Sequence, residues 1–148
     1  MIWKPNVTVA AIVERDGRFL LVEENTSEGV KLNQPAGHLE AGETLIEAIK
    51  REVLEETAFS FEPKFTTGIQ LWNKKTNDND LTYLRISFSG DIGEFFPQRT
   101  LDTGIIRSMW LTHEEIKNAT DTLRSPLVLS SINDYLDGGL FPLSVIRP

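Results

Sequence analysis

The sequence contains no cysteine, which removes disulfides, thiolate metal sites and cysteine nucleophiles together and leaves stability to packing. It also lacks any apolar run near the roughly 18 to 20 residues that a membrane-spanning helix needs. The apolar opening, Val7 to Val13, is too short and lacks signal-peptide flanks, so a cytoplasmic protein without a membrane partner is expected. Positive charge is in deficit: 15 Lys and Arg stand against 22 Asp and Glu, a formal net charge of −7. Such a chain repels polyphosphate at long range. Nucleic-acid binding is therefore not expected, and a small anionic substrate needs local cations or a bridging metal. Internal repeats and low-complexity segments are absent too. What is present, 148 residues with 40% hydrophobic and 25% charged, suits one soluble domain over 1–148 with its own core.

Along the chain, Val7 to Val13, the turn Arg15-Asp16-Gly17 and Phe19 to Val22 read as a β-hairpin, Asp-Gly supplying the turn. From Thr44 to about Thr57 the residues are strong helix formers without Pro or Gly. Phe65 to Trp72 and Leu81 to Phe88 alternate as antiparallel strands, joined through the polar, turn-rich Asn73 to Asp80. An irregular stretch is expected from Gly90 to Gly104. Ile105 to Leu111 then reads as a strand, Thr112 caps a short helix, and Pro126 to Leu136 forms a last helix. Strands mixed with a few helices, without regular βαβ alternation, predict an α+β or mixed α/β sandwich.

The segment from Gly37 to Phe59 carries the chemistry. On a helix of about 3.6 residues per turn, Ile46, Ile49 and Val53 share a stripe of about 60°, and Glu52, Glu55 and Glu56 centre about 100° away. Acids at i, i+3 and i+4 repel, at a cost of about a few tenths of a kcal/mol per exposed pair. A hard divalent cation would compensate, since Mg²⁺ takes carboxylate oxygens and accepts substrate phosphates as further ligands. Taken alone, the same run reads first as a solvated acidic face.

The longer pattern decides between them. Gly37, five residues, Glu43, seven residues, then Arg51-Glu52-Val53-Leu54-Glu55-Glu56 resembles the signature box of the Nudix hydrolase family, here over 37–59. Ala58 stands where that box has glycine, and Phe59 is bulkier than its usual aliphatic residue. The resemblance implies a Nudix α/β/α sandwich with a mixed β-sheet, the box forming a loop, a helix and a loop. It also implies that Glu52, Glu55 and Glu56 ligate Mg²⁺, or Mn²⁺ as a substitute, joined by the carbonyl of Gly37. Arg51 and Glu43 would orient loop and helix by a salt bridge. Glu52 or Glu56 leads as the proton acceptor.

Rival motifs fail on the same residues. Gly37, four residues, Gly42 begins like a P-loop, yet Glu43 holds the lysine position and would repel phosphate. His113-Glu114-Glu115-Ile116-Lys117 lacks the second histidine of a zinc-protease helix. Asp78-Asn79-Asp80 lacks the glycine and closing glutamate of a calcium loop.

Candidate substrate contacts are His38, Trp72, Tyr83, Arg85 and Arg124, each with a structural alternative: a loop histidine, core aromatics, a helix-start ion pair. The runs Lys4–Ala10, Asn33–Glu40 and Leu123–Val128 are similar to a Nudix subgroup that removes terminal orthophosphate from nucleoside tri- and diphosphates and acts on thiamine-related pyrophosphates. A small-molecule nucleotide or pyrophosphate substrate and a monomer are the expectation. The alternatives are a pyrophosphate-releasing nucleotide-sanitising enzyme and a non-catalytic Nudix-fold module.

Overall fold

The structure is a computed structural model and describes residues 1–78 and 80–147. Asn79, within the expected turn Asn73–Asp80, lies outside the described residues. The strands are β1 (Asn6–Ile12), β2 (Glu14–Arg15), β3 (Arg18–Thr26), β4 (Gly29–Asn33), β5 (Ala36–His38), β6 (Phe59–Lys75), β7 (Asp80–Phe95), β8 (Ile105–Thr112) and β9 (Phe141–Pro142). The helices are α1 (Leu45–Thr57), α2 (His113–Lys117) and α3 (Leu127–Leu136), with short 3₁₀ turns at Thr120–Thr122 and Leu143–Val145. No helix among the described residues is long and apolar enough to cross a membrane.

One sheet runs β5-β1-β7-β6-β9, with β1 parallel to β7 and the other pairs antiparallel. The second is built on β3, which pairs with β2 and β4 and, antiparallel, with β8. Side chains alternate across these strands, and two apolar clusters result. Val9, Ala11, Leu20, Ile86 and Phe88 pack with Ala48, Ile49 and Val53 of α1. Ile12, Phe19, Leu21 and Leu32 pack with Ile116 of α2 and Val128 and Ile132 of α3. The strands thus lie between α1 and the α2–α3 pair, and the mixed α/β sandwich read from the sequence is what forms.

Two expectations need correction. Val7–Val13 does not form a hairpin with Phe19–Val22, because both edges of β1 are taken by β5 and β7. Asp16 and Gly17, with φ of 52° and 76°, close only the short β2–β3 hairpin, in the left-handed region that such two-residue turns require. The stretch from Gly90 is also not irregular throughout. β7 continues to Phe95 because β6 extends back to Phe59 and supplies partners through a series of register shifts.

Candidate active site

The acidic helix starts and stops by local chemistry. Thr44 caps α1 by accepting the Glu47 amide at 3.1 Å, and the Glu47 carboxylate accepts the Thr44 amide at 3.2 Å, a reciprocal capping box. At the other end Ala58 takes the left-handed conformation, φ 63° and ψ 12°, and its amide donates to Leu54 O at 3.0 Å. The residue standing in place of the box glycine therefore keeps glycine's geometry.

Along α1, Ile49 and Val53 are fully buried, and so, against a purely exposed acidic face, are Glu52 and Glu56 at 6% and 7% exposure. Burial raises the affinity of Glu52 and Glu55 for protons; for Glu55 the neighbouring Asp102 adds to it. Glu56 is pushed furthest, to about 9, by burial, although its carboxylate accepts the Ala36 amide at 2.9 Å.

Arg51 is the cation that holds Glu43, Glu52 and Glu55. Its Nε and Nη2 donate to the two oxygens of Glu43 at 2.9 and 2.6 Å, the salt bridge expected from the box. Its Nη1 donates to Glu52 at 2.7 Å and Glu55 at 3.2 Å, and Nη2 also reaches the carbonyl of His38 at 3.0 Å. The Glu43 bonds hold that carboxyl below its ordinary range. One guanidinium thus fixes the loop before the helix to the helix itself, by the bidentate geometry at which arginine excels. Gly37 approaches so closely that a Cβ there would overlap the Glu52 carboxylate.

Glu52 and Glu55 are joined by a residue that sequence reasoning missed. Asp102, on the loop between β7 and β8, brings a carboxylate oxygen within 4.8 Å of theirs, and its amide donates to Glu55 O at 2.9 Å. It lies in a stretch without periodicity, so no sequence signal distinguished it. Three carboxylates so close, two of them half-buried or buried, are a donor set suited to a hard divalent cation. Glu56 stands outside that cluster, bonded to Ala36.

Ala36 and Gly37, which touch Glu56 and Glu52, also line a cleft of about 240 Å³. His38, Trp72, Tyr83, Arg85 and Arg124, the five candidate contacts, line it too. Trp72 is a half-buried wall residue, stacked on Tyr83 with ring centroids 5.7 Å apart. His38 tilts against Tyr83 at 6.5 Å, and its Nε2 lies 3.3 Å from Asn6 Oδ1. Arg124 pairs with Glu24 at 3.7 Å, whose carboxyl burial raises and Arg124 partly offsets. Arg85 is buried, and burial lowers its pKa to about 10, so it stays charged at neutral pH. Its Nη2 donates to the neutral amide oxygens of Gln34 at 2.8 Å and Asn33 at 3.4 Å. Among the described residues no carboxylate pairs with it. Gln34 is itself buried and fixed by donating to Val128 O at 2.7 Å.

The NUDIX domain profile matches residues 3–129. The chain belongs to the NUDIX family. It is 41% identical over 144 residues to "Phosphatase NudJ" of Escherichia coli strain K12, covering 97% of this chain and 92% of that one. Among solved structures it is similar to a NUDIX hydrolase from Nitrosomonas europaea, with TM-score 0.92, 50% identity, and 98% and 97% of the two chains covered. The MutT protein from Methanosarcina mazei Go1 shares the fold at TM-score 0.70 and 24% identity, over 93% of this chain and 99% of that one. As a Nudix hydrolase the chain is an enzyme that cleaves phosphoanhydride bonds. The family generally uses divalent metals and small nucleotide substrates.

Proposed function

We propose that the chain is a Mg²⁺-dependent phosphohydrolase that removes terminal orthophosphate from nucleoside tri- and diphosphates and acts also on thiamine-type pyrophosphates, with Mn²⁺ able to replace Mg²⁺. The observation that carries this reading is the pairing of a buried arginine without a carboxylate partner, Arg85, with a carboxylate cluster next to the same cleft. A buried cation held only by amide oxygens is costly unless an anion completes its surroundings, and phosphate does so by charge-assisted hydrogen bonds.

Glu52, Glu55 and Asp102 would hold the ion, with Glu56 and the carbonyl of Gly37 as further oxygens, as the box implies. When bound, the ion supplies positive charge that neutralises phosphoryl oxygens and favours the ionised form of the surrounding carboxylates. The protein's own groups do the rest. Arg85 and Arg124 orient the phosphate chain, the Trp72–Tyr83 pair offers a face for a planar group, and Glu52 or Glu56 accepts the proton of the attacking water. Arg51 keeps Glu52 and Glu55 aimed.

Release of orthophosphate is supported by the 41% identity to a relative named a phosphatase. Hydrolysis of GTP and GDP in ¹⁸O-labelled water with Mg²⁺ tests it. Labelled orthophosphate from both is expected, GTP passing through GDP. Labelled GMP, or pyrophosphate as the main product from GTP, would replace this reading with that of a pyrophosphate-releasing enzyme.

A further inference from the structure

The cleft beside the carboxylates does not end at Trp72. A second hollow, about 540 Å³, adjoins it, and Trp72, Lys74, Arg124 and Ser125 line both. Beyond that shared wall the lining changes character, to Leu123, Pro126 and Leu129, with Ser130 and Asn133 of α3 at one side. The first lobe, at about 240 Å³, falls below the roughly 300 Å³ at which ligand pockets begin, whereas the second falls within that range. A phosphate chain anchored by Arg85 and reaching the carboxylates occupies the first lobe. Past Trp72, whatever it is esterified to has the second lobe to extend into.

Resting on the phosphohydrolase reading above, we infer that the second lobe is a further subsite, one that takes an uncharged, largely apolar extension of the substrate's organic part beyond the planar group that Trp72 and Tyr83 face. The charges near the lobe are already matched. Lys74 pairs with Glu28 at 3.0 Å and lies 5.9 Å from the Trp72 ring centroid; Arg124 pairs with Glu24. With Glu28, Lys74 and Arg124 paired and Thr120, Ser125, Ser130 and Asn133 uncharged, the lobe still offers the carbon surface of Trp72, Leu123, Pro126 and Leu129, which rewards burial of apolar area. The aromatic pair in the first lobe and the second lobe beside it together favour a molecule with a diphosphate, a planar group and an apolar extension.

The test uses alkyl methylenebisphosphonates, non-hydrolysable diphosphate mimics, with methyl, butyl and octyl chains, titrated calorimetrically into the whole protein with Mg²⁺. Affinity is expected to rise at least about tenfold from methyl to octyl, since each added methylene finds apolar surface to cover. Leu129→Asn, which places an amide in the lobe, should flatten that rise. Leu129 packs partly against the core, so Thr120→Trp, at an exposed rim position of the same lobe, serves as a second variant and should flatten it by filling space. Equal affinities along the series in the wild type, or a slope unchanged in both variants, would overturn the inference. Hydrolysis of the matching alkyl diphosphates is measured separately. Tightening with chain length supports the subsite even if no diphosphate is hydrolysed, a result that would instead count against the reaction proposed above.

Discussion

Ala58 shows what one side chain can conceal. A non-glycine residue at φ 63° carries about 1 kcal/mol of strain, because its Cβ crowds the following carbonyl. Ala58→Gly is therefore expected to raise the melting temperature slightly and leave turnover unchanged; a lower melting temperature would show that the buried methyl matters more than the strain. The glutamates differ from one another at the same scale. Glu55→Gln and Glu56→Gln are nearly isosteric, so each should keep the fold and lose at least about tenfold in turnover if it holds metal. Rates within about threefold of wild type for both at saturating Mg²⁺ would remove them from the metal site. The structure distinguishes the pair in advance: Glu55 lies in the cluster with Asp102, and Glu56 is tied to Ala36.

Helix α1 was legible almost to the residue, because a capping threonine, an apolar stripe and the box spacing all agree on one element. The salt bridge between Arg51 and Glu43 followed as well, and the candidate contacts His38, Trp72, Tyr83, Arg85 and Arg124 lie on one cleft. What the sequence hid is what depends on pairing between distant segments. β1 pairs with β5 and with the distant β7 rather than with its neighbour β3, and Asp102 reaches the helix on a loop with no pattern of its own. The burial of Glu52 and Glu56 was hidden for the same reason, since helical periodicity says which residues share a face but not what later covers it. The loop before α1 yields a prediction. Gly37 leaves no room for a side chain against Glu52, so Gly37→Ala should displace that carboxylate and weaken Mg²⁺ binding by about tenfold or more. Unchanged Mg²⁺ affinity by calorimetry would show that the loop simply yields.

At the scale of the molecule, buried acids make stability depend on pH and metal together. Folded, metal-free Glu56 keeps its proton to about pH 9, against an ordinary value of 4.5. The folded state therefore binds more protons than the unfolded chain throughout that window, and stability must fall as pH rises through it. The raised values of Glu52 and Glu55 act in the same direction. The melting temperature of the metal-stripped protein is expected to decline from about pH 5 to pH 9, less steeply in Glu56→Gln. Mg²⁺ should restore most at the alkaline end, by binding the folded form alone. A flat or rising profile would contradict the burial of these groups. The parallel pairing of β1 with β7 has a consequence during synthesis. Asn6 finds its partner at Tyr83, so although one edge of β1 can pair with β5 early, the other waits for more than half of the chain, while the β3–β4 hairpin can close at once. The carboxylate cluster waits longer still, until Asp102 is made. The chain must therefore protect an apolar strand from other chains before it has any site with which to bind metal.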